Sequence, residues 1–227
     1  MNEMFSIYKS KADLYDSLIN HEDYEHNLST FLNSHINFSG KTVCEFGVGT
    51  GRVTEYYIEK VNNATLCDFS QHMIDTAKIK LNTNNHKIIY KILDNKMISS
   101  LQNSFDITIE GWSFGHLISE NDDTCDYWSN KLINDCKSIS KTIIIIETLG
   151  TNVDTPKAPS RLLDHFYQTL KENKFQEHII TTDYRFDNST DAAEVLGAFF
   201  GEEMKNRIKE ENKRIIKEFT GIWIYNS

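Results

Sequence analysis

The sequence predicts an α/β protein: a doubly wound, mostly parallel seven-stranded sheet with helices on both faces, an antiparallel edge hairpin and an N-terminal helical lid. Three observations lead there. Apolar runs of strand length alternate with helical stretches through the middle of the chain. One run, "KTIIIIETLG", carries four consecutive isoleucines and is therefore apolar on both faces, as a strand covered by helices above and below must be. A stretch of alternating glycines, "EFGVGTG", follows the first run, at the carboxyl end of a strand where open α/β sheets bind ligands.

Residues 1–38 read as mostly helical and carry "YKSKADLYDSLINHEDYEHNL", rich in tyrosine and acid. Strands are then predicted at Thr42–Phe46, Ala64–Asp68, Lys87–Leu93, Phe105–Glu110 and Thr142–Glu147, with helices at Thr50–Lys60 and Ser70–Leu81 between the first three. Pro156 and Pro159 punctuate the loop after the isoleucine strand. The last quarter breaks the alternation: a strand Gln176–Phe186, helices across Ser189–Lys217, and a strand Phe219–Tyr225. Such a closing pair forms an antiparallel edge hairpin with helix inserted between its arms. No repeat or linker interrupts the chain, so one domain is expected over 1–227, with 1–38 as lid and 39–227 as α/β core.

Composition narrows the function. At 227 residues, 39% hydrophobic and 25% charged, the chain can bury a full core without staples. A formal charge of −9 gives no counterion-release advantage, which argues against a nucleic-acid partner. The longest cationic stretch, Lys205–Lys217, is interleaved with glutamates and reads as a solvated helix face. Cys44, Cys67, Cys125 and Cys136 show no CxxC spacing. With neither a signal peptide nor an 18-residue apolar run, a cytoplasmic, reduced protein without a membrane partner is expected.

The glycines carry the chemistry. Gly47, Gly49 and Gly51 permit positive φ and let a ligand lie against bare backbone. A following helix would offer free N–H groups at its start. The dinucleotide pattern wants its third glycine one place later, where Arg52 stands. Glu45, two residues before the first glycine, would repel a pyrophosphate and suit an ammonium group. The ligand read from this is an amino-acid-bearing nucleotide rather than a dinucleotide.

Here the chain resembles the class I S-adenosylmethionine-dependent methyltransferases, whose first motif is an acid, any residue, then Gly-x-Gly-x-Gly. "ATLCDFSQHMIDTAK" is similar to their second motif, "KILDN" to the third, and "SFDITIEGWSFGHL" to the fourth strand and its loop. The resemblance implies that S-adenosylmethionine is the cofactor and S-adenosylhomocysteine the product. It places Gly47, Gly49 and Gly51 against the methionyl part, with Glu45 near its ammonium. Asp68 would accept both ribose hydroxyls as charge-assisted hydrogen bonds. Phe69 and Met73 would flank the adenine, and Asp94 with the Asn95 backbone would read its amino group. Glu110, Gly111 and Trp112 end the fourth strand, where the sulfonium should sit, and an aromatic face there favours a cation.

Methyl transfer needs alignment more than acid–base chemistry, so catalytic residues leave few traces. His116 is the candidate general base. Glu147 and Tyr184 belong to the ligand end of the sheet or its margin, and Tyr8, Tyr15 and Tyr24 to the lid. Phe186, Phe199, Phe200 and Trp223 are candidates for a pocket wall. The chain lacks the [Asn/Asp]-Pro-Pro-aromatic motif of enzymes acting on exocyclic amines of bases or on glutamine amides, the Pro-Cys of RNA cytosine-C5 enzymes and the carboxylate cluster of catechol-type enzymes. A small-molecule acceptor and no metal are therefore expected. A binding module without turnover, a protein or RNA methyltransferase and a nucleotide-linked dehydrogenase stay open as alternatives.

Overall fold

A computed structural model describes residues 12–81, 87–120 and 122–227. Its centre is a seven-stranded sheet in the order β3-β2-β1-β4-β5-β9-β6. The strands are β1 (Thr42–Phe46), β2 (Asn63–Asp68), β3 (Ile88–Ile92), β4 (Phe105–Gly111), β5 (Ser140–Thr151), β6 (Gln176–Thr181) and β9 (Glu218–Asn226). Strands β1 to β5 pair in parallel, with Val43 opposite both Ala64 and Ile107. Strand β9 runs antiparallel to both of its neighbours. The predicted architecture holds.

The four isoleucines of β5 explain why. Ile143 and Ile145 point to one face, into a core with Phe46, Phe166 and Trp223. Ile144 and Ile146 point to the other, among Val43, Leu66 and Ile109. All four are at most 1% exposed. At about 1.5–3 kcal/mol for each fully buried aliphatic side chain, this one strand ties both layers to the sheet. The first face is covered by α4 (Phe114–Ser119), α5 (Cys125–Ile139) and α6 (Arg161–Glu172), the second by α2 (Asn27–His35) and α3 (Gln71–Lys80). Helix α3 starts where predicted, with the Ser70 side chain accepting from the Met73 N–H.

The predicted helix Thr50–Lys60 does not form. That segment is a chain of turns with one 3-10 turn at Thr54–Tyr56. Its hydrogen bonds are mostly of the three-residue kind, Tyr56 to Val53, Tyr57 to Thr54 and Lys60 to Tyr57. β-Branched and aromatic residues there have weak helix preference. Tertiary bonds then decide: Thr54 and Tyr57 both donate to the buried carboxylate of Glu45, and the Tyr57 ring stacks on Phe38 at 5.2 Å. With no α-helix after the glycines, the expected helix N-terminus is absent too.

The predicted strand Gln176–Phe186 breaks into β6 and a short β7 (Tyr184–Arg185), which pairs with β8 (Ile215–Ile216). Between them lie α7 (Ser189–Phe200) and α8 (Glu202–Glu211), hinged at Gly201. The closing antiparallel pair is as expected, with β6 as its outer arm and β9 lying inside the sheet. This insertion packs on α1 (Ala12–Ile19) through Leu18, Tyr184, Phe186, Leu196 and Ile208. All four cysteines are free and buried. Among the described residues no helix is long and apolar enough to cross a membrane.

Candidate active site

Parallel strands deliver their carboxyl ends to one edge of the sheet, and the loops there surround a cavity of about 710 Å³. Because β9 is antiparallel, its first residue, Glu218, arrives at that same edge, opposite Thr151. The glycine loop after β1 forms one wall. Gly47, Gly49 and Gly51 all have positive φ, at 68°, 53° and 95°. At Gly47 a neighbour, as well as any ligand, forbids a side chain: an added Cβ would stand 2.5 Å from Ser113 Oγ and closer still to its Cβ. Arg52, which occupies the place of a dinucleotide site's third glycine, reaches back to Glu22 at 2.8 Å, both side chains nearly buried. Thr50 donates to Asp16 at 2.7 Å and Lys80 pairs with the same carboxylate at 3.2 Å, so α1 is fastened onto the loop.

At one end of the cavity lies Asp68. Its Oδ2 accepts the Gly49 N–H at 3.0 Å and its Oδ1 the Ser70 N–H at 2.8 Å, and burial raises its pKa against these bonds. A carboxylate offers about four lone-pair sites, so acceptor capacity remains for hydroxyls of a ligand. Beside it Met73 is buried, while the Phe69 ring is 41% exposed, a large apolar surface facing the cavity. Asp94 and Asn95 also line this end. Asp94 accepts from the Lys96 N–H at 2.9 Å, a turn bond, and Asn95 donates to Ser113 Oγ at 3.1 Å.

In the middle, β4 ends in Gly111 and Trp112, both lining the cavity. Trp112 takes a left-handed backbone with φ 51°, an uncommon conformation for a bulky residue, and its ring face carries the Arg52 guanidinium at 4.6 Å. The ring expected to face a ligand cation thus already holds a protein one. Glu110 turns beneath the surface. Its Oε1 accepts the Ser113 and Phe114 N–H groups at 2.5 and 2.8 Å, Oε2 has no hydrogen-bond partner, and burial lifts its pKa to about 7. Glu147 on β5 faces the cavity and accepts the Gly115 N–H at 2.6 Å. Only a glycine allows this approach, since a Cβ at position 115 would meet the Glu147 carboxylate at 2.8 Å. Burial and the nearby Glu110 push the Glu147 pKa well up.

His116, on α4, is half-buried and lines the cavity, and burial lowers its pKa, favouring the neutral imidazole. The far end is walled by Tyr184, Glu218, Phe199, Phe200 and Met204, with Leu18 and Ile19 of α1 overhead. Burial, then neighbouring acids, raise the Tyr184 pKa far up.

Of the residues predicted for the site, the structure brings Gly47, Asp68, Phe69, Met73, Asp94, Asn95, Gly111, Trp112, His116, Glu147 and Tyr184 around this one cavity. Glu45 is instead buried under the loop, held by Thr54 at 2.7 Å and by Tyr57, with its pKa lifted by burial to about 7. Gly49, Gly51 and Glu110 support the wall from behind. Tyr24 packs under the Arg185 guanidinium at 4.5 Å rather than at the cavity. Tyr8 and the Tyr15 side chain lie outside the described residues. Phe186 and Trp223 are core residues, in the roof and under the sheet. Sequence reasoning missed Glu22, Arg52, Ser113 and Glu218. The signal for the first two was a long cation closing the glycine loop and an acid-rich segment, "NHEDYE", ahead of it. Among the described residues no three His, Cys, Asp or Glu side chains gather as a metal site.

Residues 43–129 match the family model described as a methyltransferase domain. The match takes in the glycine loop, Asp68 and the end of β4, and the sheet around it has the fold of class I, Rossmann-like methyltransferases. Among solved structures the chain is similar to magnesium protoporphyrin IX methyltransferase of Synechocystis PCC 6803 with bound S-adenosylhomocysteine, at 12% identity, 97% of each chain and a TM-score of 0.57. It is similar also to a proposed RNA methyltransferase of Pyrococcus horikoshii, at 15% identity over 88% of this chain and 82% of that one, TM-score 0.55. A third is precorrin 8w decarboxylase of Methanobacterium thermoautotrophicum, at 14% identity over 87% of each, TM-score 0.53. These likenesses are of fold. No curated protein matches the sequence.

Proposed function

We propose that the protein transfers a methyl group from S-adenosylmethionine to a small-molecule acceptor held in the far half of the same cavity, with α1 and the α7–α8 insertion closing over the core. One observation carries this reading. The cavity runs without interruption from Asp68, Phe69 and Met73 to Glu147, Tyr184 and Glu218, under a roof made by α1. Its volume falls within the roughly 300–1,000 Å³ of small-ligand sites. The roof and the acidic lining both disfavour a polyanionic strand.

The residues at the first end fit the cofactor. Asp68 is a buried carboxylate with acceptor capacity to spare, suited to ribose hydroxyls. The half-exposed Phe69 ring and the Met73 thioether offer flat apolar walls for adenine, with Asp94 and Asn95 at its edge. Gly47 and Gly111 leave bare backbone for the methionyl part. When bound, S-adenosylmethionine supplies a methyl group on a sulfonium that leaves readily. What the chain adds is alignment, exclusion of water by α1 and the insertion, and a place for the acceptor's proton. The neutral imidazole of His116 is suited to take it, where the acceptor is protonated.

The test is transfer of labelled methyl from S-adenosylmethionine to a metabolite extract, beside total RNA and protein from the same cells. Label in the small-molecule fraction alone is expected. Label confined to RNA or protein would refute the proposed acceptor, and production of no S-adenosylhomocysteine in any arm would leave a binding module.

A further inference from the structure

The far end of the cavity is built around a carboxylate that the protein itself leaves half satisfied. Glu218 lines the cavity, yet the residue is only 3% exposed. Thr148 Oγ1 donates to its Oε1 at 2.7 Å and the Thr151 hydroxyl lies near enough to lower its pKa, whereas Oε2 is buried without a hydrogen bond of ordinary geometry. A buried, unfilled carboxylate oxygen costs about 1–3 kcal/mol or more, and this one, unlike Glu110 Oε2, belongs to a residue that lines the cavity.

The surroundings indicate what that is. Glu22 stands close enough to act on Glu218 electrostatically and is already paired with Arg52 at 2.8 Å. With Glu22 taken up by Arg52, the Glu218 carboxyl has no cation of its own at this end. Glu147 adds a further carboxyl to the same wall. The lysines lining the cavity, Lys96 and Lys157, are both exposed to solvent. The remaining walls, Leu18, Phe199, Phe200 and Met204, are apolar.

We propose that Glu218 is a specificity residue of the acceptor subsite, receiving the basic nitrogen of an amine whose apolar body lies against Leu18, Phe199 and Met204. The inference rests on the small-molecule reading above and names the acceptor's chemical class. An anionic acceptor would find no cation there to pair with, and a neutral one would offer Oε2 no charged donor. Burial and Glu22 hold the free Glu218 at a pKa of about 8, largely protonated at pH 7, so an arriving ammonium releases that proton as the ion pair forms.

Calorimetry with three probes of one shape tests this: phenethylamine, 2-phenylethanol and 3-phenylpropionate, titrated at pH 7 into protein alone and protein saturated with S-adenosylhomocysteine. The amine should bind about tenfold or more tighter than either of the others. Its heat should also depend on the buffer's ionisation enthalpy, reporting proton release. In Glu218→Gln the preference should fall to under about threefold with S-adenosylhomocysteine affinity unchanged. Equal binding of the three probes, no binding of any, or a preference that survives in Glu218→Gln would overturn the proposal. The ranking on the unmodified protein decides even if the variant fails to fold. Absence of heat with S-adenosylhomocysteine would strike at the methyltransferase reading instead, while the titrations into protein alone would still judge Glu218.

Discussion

Gly47→Ala separates two reasons for a bare backbone. If the glycine only admits a ligand, the variant should fold normally and lose cofactor affinity. The structure predicts a folding defect. A Cβ at 47 is forced into a left-handed backbone at φ 68°, which costs roughly 1–2 kcal/mol for an L residue. It also stands 2.5 Å from Ser113 Oγ, and overpacking of this kind costs about 1–3 kcal/mol. Together the loss is about 2–5 kcal/mol, a large share of the 5–15 kcal/mol a domain typically has. Ser113→Gly removes both offending atoms, so in that background the cost of Gly47→Ala should shrink to the backbone part. A double-mutant cycle by urea denaturation should therefore show a favourable coupling of about 1–3 kcal/mol. A Gly47→Ala protein as stable as the parent, or a cycle with no coupling, would refute the argument.

Asp68→Ala should weaken S-adenosylmethionine binding by about 1.5–3 kcal/mol, or roughly 10- to 150-fold, measured by calorimetry, since it removes charge-assisted acceptors. His116→Ala should lower turnover and leave cofactor affinity alone. Because burial lowers the His116 pKa, the acidic limb of the parent's rate profile should fall below pH 6.5. Stability should fall as pH rises from about 4.5 to 8: Glu45 and Glu110 near 7 and Glu218 near 8 bind protons in the fold that the unfolded chain, at the ordinary 4.5, has released. That stabilisation is complete below 4.5 and gone above the folded values. Urea unfolding at pH 5 and pH 8 measures it, and Glu110→Gln should flatten the slope. Tyr57→Phe should cost about 1–3 kcal/mol by the same assay, since Glu45 Oε2 keeps Thr54 alone.

The sheet was legible because its signal is local. Alternate isoleucines facing alternate layers write a doubly covered strand into six or seven residues. The glycine loop and Asp68 were legible for the same reason, each lying at a strand's end. What escaped depends on contacts across the fold. Nothing near Thr54 and Tyr57 announces that a buried acid nine and twelve residues earlier will claim their hydroxyls and suppress a helix. Gly47 looked bare for a ligand, and the neighbour that also requires it lies 66 positions along. Glu218 reads as an ordinary polar start to an apolar strand until β9 runs antiparallel and brings it to the ligand edge.

The place of β9 bears on how the protein is made. Residues 218–226 fill the slot between β5 and β6, so during synthesis the sheet has an open gap until its other six strands have all left the ribosome. Through that interval the isoleucine strand presents one unzipped flank of amides and carbonyls, a template for pairing with a neighbouring nascent chain. The acidic surplus of the chain then gains a second use, keeping such half-built copies apart.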